Sequence, residues 1–147
     1  MKNIDEFFVC LTNVESEPSA LWGKMSFQHM IEHLIQSVRI SSGKLHVACA
    51  TPEEKRPTLK RILMSERPLP KNFISPIIGD NLPPLEFSSA DEAISVLRTE
   101  IDDYKVLYRD KPESVFVNPT FGLLNEEEWK VFHLKHFQHH LAQFGLA

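Results

Sequence analysis

The sequence predicts an all-α fold in a single domain spanning residues 1–147, and three observations carry that expectation. Apolar residues recur at three- and four-residue steps along several stretches, the spacing that gathers side chains onto one face of a helix. Ser26, Thr51, Ser89 and Asn125 stand before such stretches, and at the last three an acid follows three residues on, an arrangement that satisfies the free N–H groups of a first helical turn. Alternation of apolar and polar residues, which a half-buried strand needs, is scarce. With 147 residues, 42% of them hydrophobic, the chain is long enough to bury a sizeable core.

A short amphipathic helix is expected over Ile4 to Leu11, followed by a polar connection through Glu15-Ser16-Glu17-Pro18-Ser19. Ser26 is the N-cap expected for a second helix, in which Phe27, Ile31, Leu34 and Val38 form the apolar stripe and after which Gly43 ends the run. Thr51-Pro52-Glu53-Glu54 combines a capping residue, a first-turn proline and an acid, so a third helix is expected to run to Leu63 or Met64, irregular near Pro57. Pro68, Pro70, Pro76, Pro83 and Pro84, with Gly79, then forbid a continuous helix between Glu66 and Ser88. So long a connection inside one domain is uncommon, which makes it a candidate lid or wall for whatever the domain binds, or else a packing strap. Ser89-Ala90-Asp91-Glu92 reads as a capping box opening a helix striped by Ala93, Leu97, Ile101, Tyr104 and Tyr108 and ended by Asp110-Lys111-Pro112. The last helix is expected from Asn125, with Glu128 at the box position and Glu126-Glu127-Glu128 on the positive end of the dipole, to about Phe144 before Gly145. Gly122, after Phe121, is expected to shape the turn into it.

Charge and composition exclude several function classes. Sixteen Lys and Arg against twenty Asp and Glu give a net charge of −4, and no basic cluster with interleaved aromatics is present to track a phosphate backbone, so nucleic acid is not an expected partner. No stretch reaches the roughly 20 apolar residues of a membrane span, and the acidic start Met1-Lys2-Asn3-Ile4-Asp5-Glu6 is unlike a signal peptide. Cys10 and Cys49 have neither a metal-ligand spacing nor a disulfide framework around them, which suits a reduced, cytoplasmic protein with Cys10 as a small core residue. No glycine-rich phosphate loop or nucleophile elbow appears. Trp22, Trp129, Phe7, Phe8, Phe27, Phe132 and Phe137 are expected in the core or at a dimer interface.

The chemistry-bearing stretch is His133-Leu134-Lys135-His136-Phe137-Gln138-His139-His140, which holds four of the seven histidines. His136 and His140 are i, i+4 neighbours, so their imidazoles project from one helix face about one turn apart and can share a metal ion. On a wheel with Trp129 at zero and about 100° per residue, His136, His140 and His133 fall near 340°, 20° and 40°, between Phe132 and Phe144 on the inward face. Lys135 and Gln138 fall on the wet side, with His139 between. The competing explanation is a set of core histidines, each hydrogen-bonded to its own partner, because an unpaired buried imidazole costs about 1–3 kcal/mol. A helical His-x3-His pair needs a third ligand from elsewhere. Gln28-His29-Met30-Ile31-Glu32-His33 offers His29 and His33, neither at the centre of its stripe, so spacing alone does not choose between them. Three imidazoles from two helices suit zinc, nickel or iron(II), with positions left open for water or substrate.

Three segments in order carry a resemblance. Trp22-Gly23-Lys24-Met25-Ser26 leading to Met30-Ile31-Glu32-His33-Leu34, then Phe121-Gly122-x-Leu124-x3-Glu128-Trp129, then His136-Phe137-Gln138-His139-His140-Leu141-Ala142-Gln143-Phe144-Gly145 resemble the DinB/YfiT-like superfamily of metal-dependent enzymes over nearly the whole chain. The resemblance implies a four-helix bundle of up-down-down-up order, often a homodimer, with a divalent metal held by His33, His136 and His140. It favours His33 over His29 and leaves His133 and His139 beside the ion or on the cavity wall. Where the wider superfamily tends to show His-His-Arg-Gly-Gln, this chain has His139-His140-Leu141-Ala142-Gln143, so an anionic substrate group would need another cation here. The superfamily includes thiol-dependent transferases and an isomerase, so the resemblance implies a metal-dependent enzyme of hydrolase or transferase type acting on a small molecule, with a low-molecular-weight thiol as a candidate cofactor, and names no reaction. Glu32, His29, His133, His139, Glu100 and Tyr104 are candidates for a general acid or base, and no spacing singles one out. The alternatives are a non-catalytic metal- or small-ligand-binding helical protein and an interaction protein whose histidines only pack.

Overall fold

In a computed structural model of the chain, residues 1–12, 14–73, 75–76 and 81–147 are described. Helices account for about half of them: α1 (Asp5–Leu11), α2 (Phe27–Ser41), a 3-10 turn (Glu53–Lys55) running into α3 (Arg56–Met64), α4 (Ala90–Asp110) and α5 (Glu126–Gln143). Among the described residues the one departure from an all-helical fold is a small antiparallel hairpin, β1 (Phe116–Asn118) paired with β2 (Gly122–Leu124), with Phe116 opposite Leu124 and Asn118 opposite Gly122.

Local chemistry explains most boundaries. The side chain of Ser26 accepts from His29 N to open α2, and Asn125 and Glu128 form a reciprocal capping box that opens α5. At α4 the Ser89 side chain accepts from Glu92 N as expected, but the Glu92 carboxylate turns to the amide and hydroxyl of Ser88 rather than to Ser89 N. Thr51 does not cap the third helix. Its carbonyl accepts from Arg56 Nε, the α-helix proper begins at Arg56 with Pro57 in its first turn, and the acids Glu53 and Glu54 lie in the preceding 3-10 turn. The hairpin turns on Asn118, whose side-chain oxygen accepts from Thr120 N and Phe121 N, and on Gly122 at φ +80°, a conformation that favours glycine. Gly122 therefore shapes the hairpin, whose second strand leads into α5, rather than a turn directly into that helix.

Helix α2 packs along α4 and also touches β1 and α5, while α5 touches α1, α3 and β2 as well. The shared core contains Phe7, Met30, Ile31, Leu34, Leu97, Ile101, Trp129 and Phe137. At about 1.5–3 kcal/mol for each large side chain fully removed from water, this core dominates over the ion pairs on the rim. Those pairs still fix positions: Lys105 Nζ lies 2.9 Å from Asp5 Oδ1, tying α1 to α4.

The proline-rich connection between α3 and α4 is held at both described ends. Lys135 of α5 donates to the carbonyls of Leu63 and Ser65, 2.6 Å each, covering the last turn of α3. At the other end the buried Glu32 carboxylate accepts from Glu86 N at 2.6 Å and from Gln28 Nε2 at 2.8 Å, and Gln28 Nε2 also donates to Phe87 O. Gly79 lies outside the described residues. Among the described residues no helix is long and apolar enough to cross a membrane, and Cys10 and Cys49 are both free thiols, half-buried.

Candidate metal centre

The histidine geometry follows from α2 crossing α5. His33 Nε2 lies 2.9 Å from His136 Nε2, which lies 3.1 Å from His140 Nε2, although His33 and His136 are 103 residues apart in sequence. All three residues are buried, and one nitrogen from each lies within 4.8 Å of the others, so the three lie close together and can bind a metal ion. Two nitrogens bound to one ion at about 2.1 Å sit roughly 3 Å apart, so the two short separations match a shared ion in scale.

Hydrogen bonding alone does not satisfy this arrangement. Gln143 Nε2 donates to Trp22 O at 3.1 Å, which leaves Gln143 Oε1 to accept from His140 Nδ1 at 2.7 Å. The hydrogen of His140 is then on Nδ1 and its Nε2 carries a lone pair facing His136. A hydrogen on His136 Nε2 can point at only one of its two neighbours, and a hydrogen on His33 Nε2 would leave the lone pairs of His136 and His140 facing each other across 3.1 Å. His136 Nδ1 is buried without a partner among the described protein atoms. A cation between the three rings could accept all three lone pairs, so the three histidines could hold a divalent metal.

Electrostatics keep those lone pairs available. Burial pushes His33 down to about 4, helped by the charge of His139. Burial is also the first cause holding His136 and His140 well below 6.5; mutual repulsion adds to it, and the Gln143 hydrogen bond opposes it at His140. All three imidazoles are therefore neutral near pH 7. An all-imidazole donor set of this kind suits zinc, nickel or iron(II) rather than a hard cation such as magnesium.

The three histidines form the floor of a cavity of about 290 Å³. Trp22, Gly23, Lys24 and Met25 make one wall and Lys71, Phe73, Ser75 and Leu82 of the proline-rich connection another, with His139 and Gln143 between. The connection is thus a wall of the chamber as well as a strap. Trp22 is half-buried and lines the cavity rather than the core, its ring in T-shaped contact with that of His139 and Lys71 Nζ 4.9 Å from its centroid. Gly23 sits at φ +80°, and a Cβ there would lie 2.9 Å from Gln143 Nε2, so only glycine lets the Trp22 carbonyl reach its donor without strain.

The other candidates are placed elsewhere. His29 is half-buried, bonded to Ser26 Oγ at 2.7 Å, and lines a neighbouring smaller cavity instead of joining the α5 pair. His133 is fully buried beneath the site, stacked on Trp129, with Nε2 2.7 Å from Ser41 Oγ, and burial pushes it down to about 3. Tyr104 packs edge-on against His133, with burial raising its hydroxyl well above its usual value. Glu32 is engaged by the strap, and Glu100 receives Arg39 Nε at 3.1 Å and Lys44 Nζ at 2.9 Å. Of the acid–base candidates, His139 alone lines the main cavity. Reasoning from spacing missed Gln143; its position three residues after His140 on the same helix face is the signal that could have found it. No family model, no curated protein and no solved structure matches the chain.

Proposed function

We propose that the chain is a metal-dependent enzyme of DinB/YfiT-like type, a four-helix bundle in up-down-down-up order that binds one divalent ion through His33, His136 and His140 and acts on a small molecule held in the cavity above them. The observation that carries the reading is the convergence of three neutral, buried Nε2 atoms on the floor of an open chamber, where hydrogen bonds cannot satisfy them together. When bound, zinc, nickel or iron(II) supplies Lewis acidity toward a ligand oxygen or sulfur, the chemistry common to hydrolases and thiol-dependent transferases.

The chain's own residues do the rest. Gln143 fixes the tautomer and ring plane of His140. Trp22, Met25, Phe73 and Leu82 exclude water from one side of a ligand, and His139 is the titratable group on the wall nearest the floor histidines, suited to hold or release a proton. The same reading carries the expectation of a homodimer in a reduced cytoplasm and of a low-molecular-weight thiol as co-substrate. A binding module without turnover is the second reading, favoured by the absence of any carboxylate among the described residues lining the main cavity.

Elemental analysis of untagged protein tests the assignment. The expected result is about one divalent ion per chain, lost in the double variant His136→Ala and His140→Ala while circular dichroism stays helical. Stoichiometric metal retained in that variant rejects the ligand set. A metal-free wild-type chain whose melting temperature ignores chelators leaves only packing histidines.

A further inference from the structure

The main cavity has two chemically distinct ends. Its floor is the three imidazoles, its walls include Trp22, Met25, Phe73 and Leu82, and it is also lined by Lys24 and Lys71, both exposed, with no Asp or Glu among the described lining residues. Lys71 is held to the wall by the Trp22 ring, with Nζ 4.9 Å from the centroid. Among the described residues, neither lysine is paired with a carboxylate, whereas Lys44, Lys60, Lys105 and Lys130 all are. Of the described acids, Glu32 and Glu86 line the neighbouring cavity, which shares Met25, His33 and Leu82 with this one, and Glu32 is bonded to the strap.

From this juxtaposition we infer that the cavity selects a small carboxylic acid with an apolar body, its carboxylate received by Lys24 and Lys71 at the mouth and its other end directed toward the floor of His33, His136 and His140. Two ammonium groups without a carboxylate partner among the described residues supply the attraction, and among those residues no lining acid opposes it. The apolar walls bury the body of the ligand, and a volume of about 290 Å³ restricts it to a small molecule. A phosphate monoester is disfavoured because, among the described residues, no arginine and no glycine-rich loop lines the chamber to satisfy the remaining oxygens. The inference rests on the cavity being the substrate chamber of the function proposed above.

The test is calorimetric titration of the full chain, zinc-loaded and chelator-stripped, with the series phenylacetate through phenylvalerate and the primary amide of each acid. At least one acid is expected to bind about tenfold or more tightly than its amide, with the preference shrinking as salt is added. The variants Lys24→Gln and Lys71→Gln should each remove about three- to tenfold of that preference, leaving amide affinity and zinc content unchanged. Equal affinity of every acid and its amide, including no binding by either, overturns the inference. So does a preference that survives both substitutions and disappears on chelation, since the carboxylate then sits on the ion. A chain that holds no zinc yet shows a lysine-dependent preference upholds the anion site while rejecting the metal reading, so the two failures are distinguishable.

Discussion

Acid should unfold the metal-free chain steeply, and the cause is its buried histidines. His33, His133, His136 and His140 are buried and held below the ordinary 6.5, His33 at about 4 and His133 at about 3, with desolvation the first cause in each case. The unfolded chain takes up protons at these positions once the pH falls below about 6.5, while the folded chain does not. Their contribution is therefore intact above pH 6.5 and lost progressively as the pH drops toward the folded values. Between pH 7 and pH 5, each histidine that stays neutral in the fold costs about 2 kcal/mol, or about 8 kcal/mol for four, against a total stability of roughly 5–15 kcal/mol for an ordinary domain. Urea unfolding of chelator-treated protein, followed by circular dichroism at pH 7, 6 and 5, measures the loss directly. His133→Phe removes one titrating group while keeping a flat ring against Trp129, so it should flatten the profile by about 2 kcal/mol over the same interval. A wild-type loss smaller than about 2 kcal/mol, or an unchanged profile in the variant, would refute the claim that these imidazoles are buried neutral.

Gln143→Leu removes the acceptor of His140 Nδ1 at 2.7 Å and should weaken zinc binding by about 10- to 100-fold in a competition assay, with helicity unchanged. Glu32→Gln takes the charge from the group that accepts Glu86 N and Gln28 Nε2; the expected cost is about 1–3 kcal/mol in chemical denaturation, with faster proteolytic cleavage between α3 and α4. Gly23→Ala puts a side chain at φ +80° and a Cβ 2.9 Å from Gln143 Nε2, so it should lower stability by about 1–2 kcal/mol and weaken metal binding together, read by thermal melting and elemental analysis.

The sequence made the last helix legible in detail because its signals are local. The Asn125–Glu128 box, the four-residue step between His136 and His140 and the inward arc shared with His133 all depend on neighbours within a turn or two. The choice between His29 and His33 was not legible from periodicity. Helix α2 is covered by α4, by α5, by β1 and by the strap, so Gln28, Glu32, His33 and Ser37 are buried beside its apolar residues and the stripe no longer marks the only covered face. The hairpin was overlooked because three-residue strands are too short for alternation to register, although Asn118-Pro119 followed by Gly122 is a turn signal in its own right. The place of Trp22 on the cavity wall was not legible for a different reason: a large apolar residue flanking a chamber has the same composition signature as one in the core, and only the tertiary approach of Gln143 reveals which it is.

His33 and His136 come from segments 103 positions apart. A chain made from its amino end exposes α2 long before α5 exists, and a lone imidazole on a nascent helix has little hold on any ion. Selection of any ion that the three histidines could hold would therefore wait until the two distant helices have docked, and the finished scaffold, rather than whichever cation the ribosome exit happens to offer, would dictate what is captured.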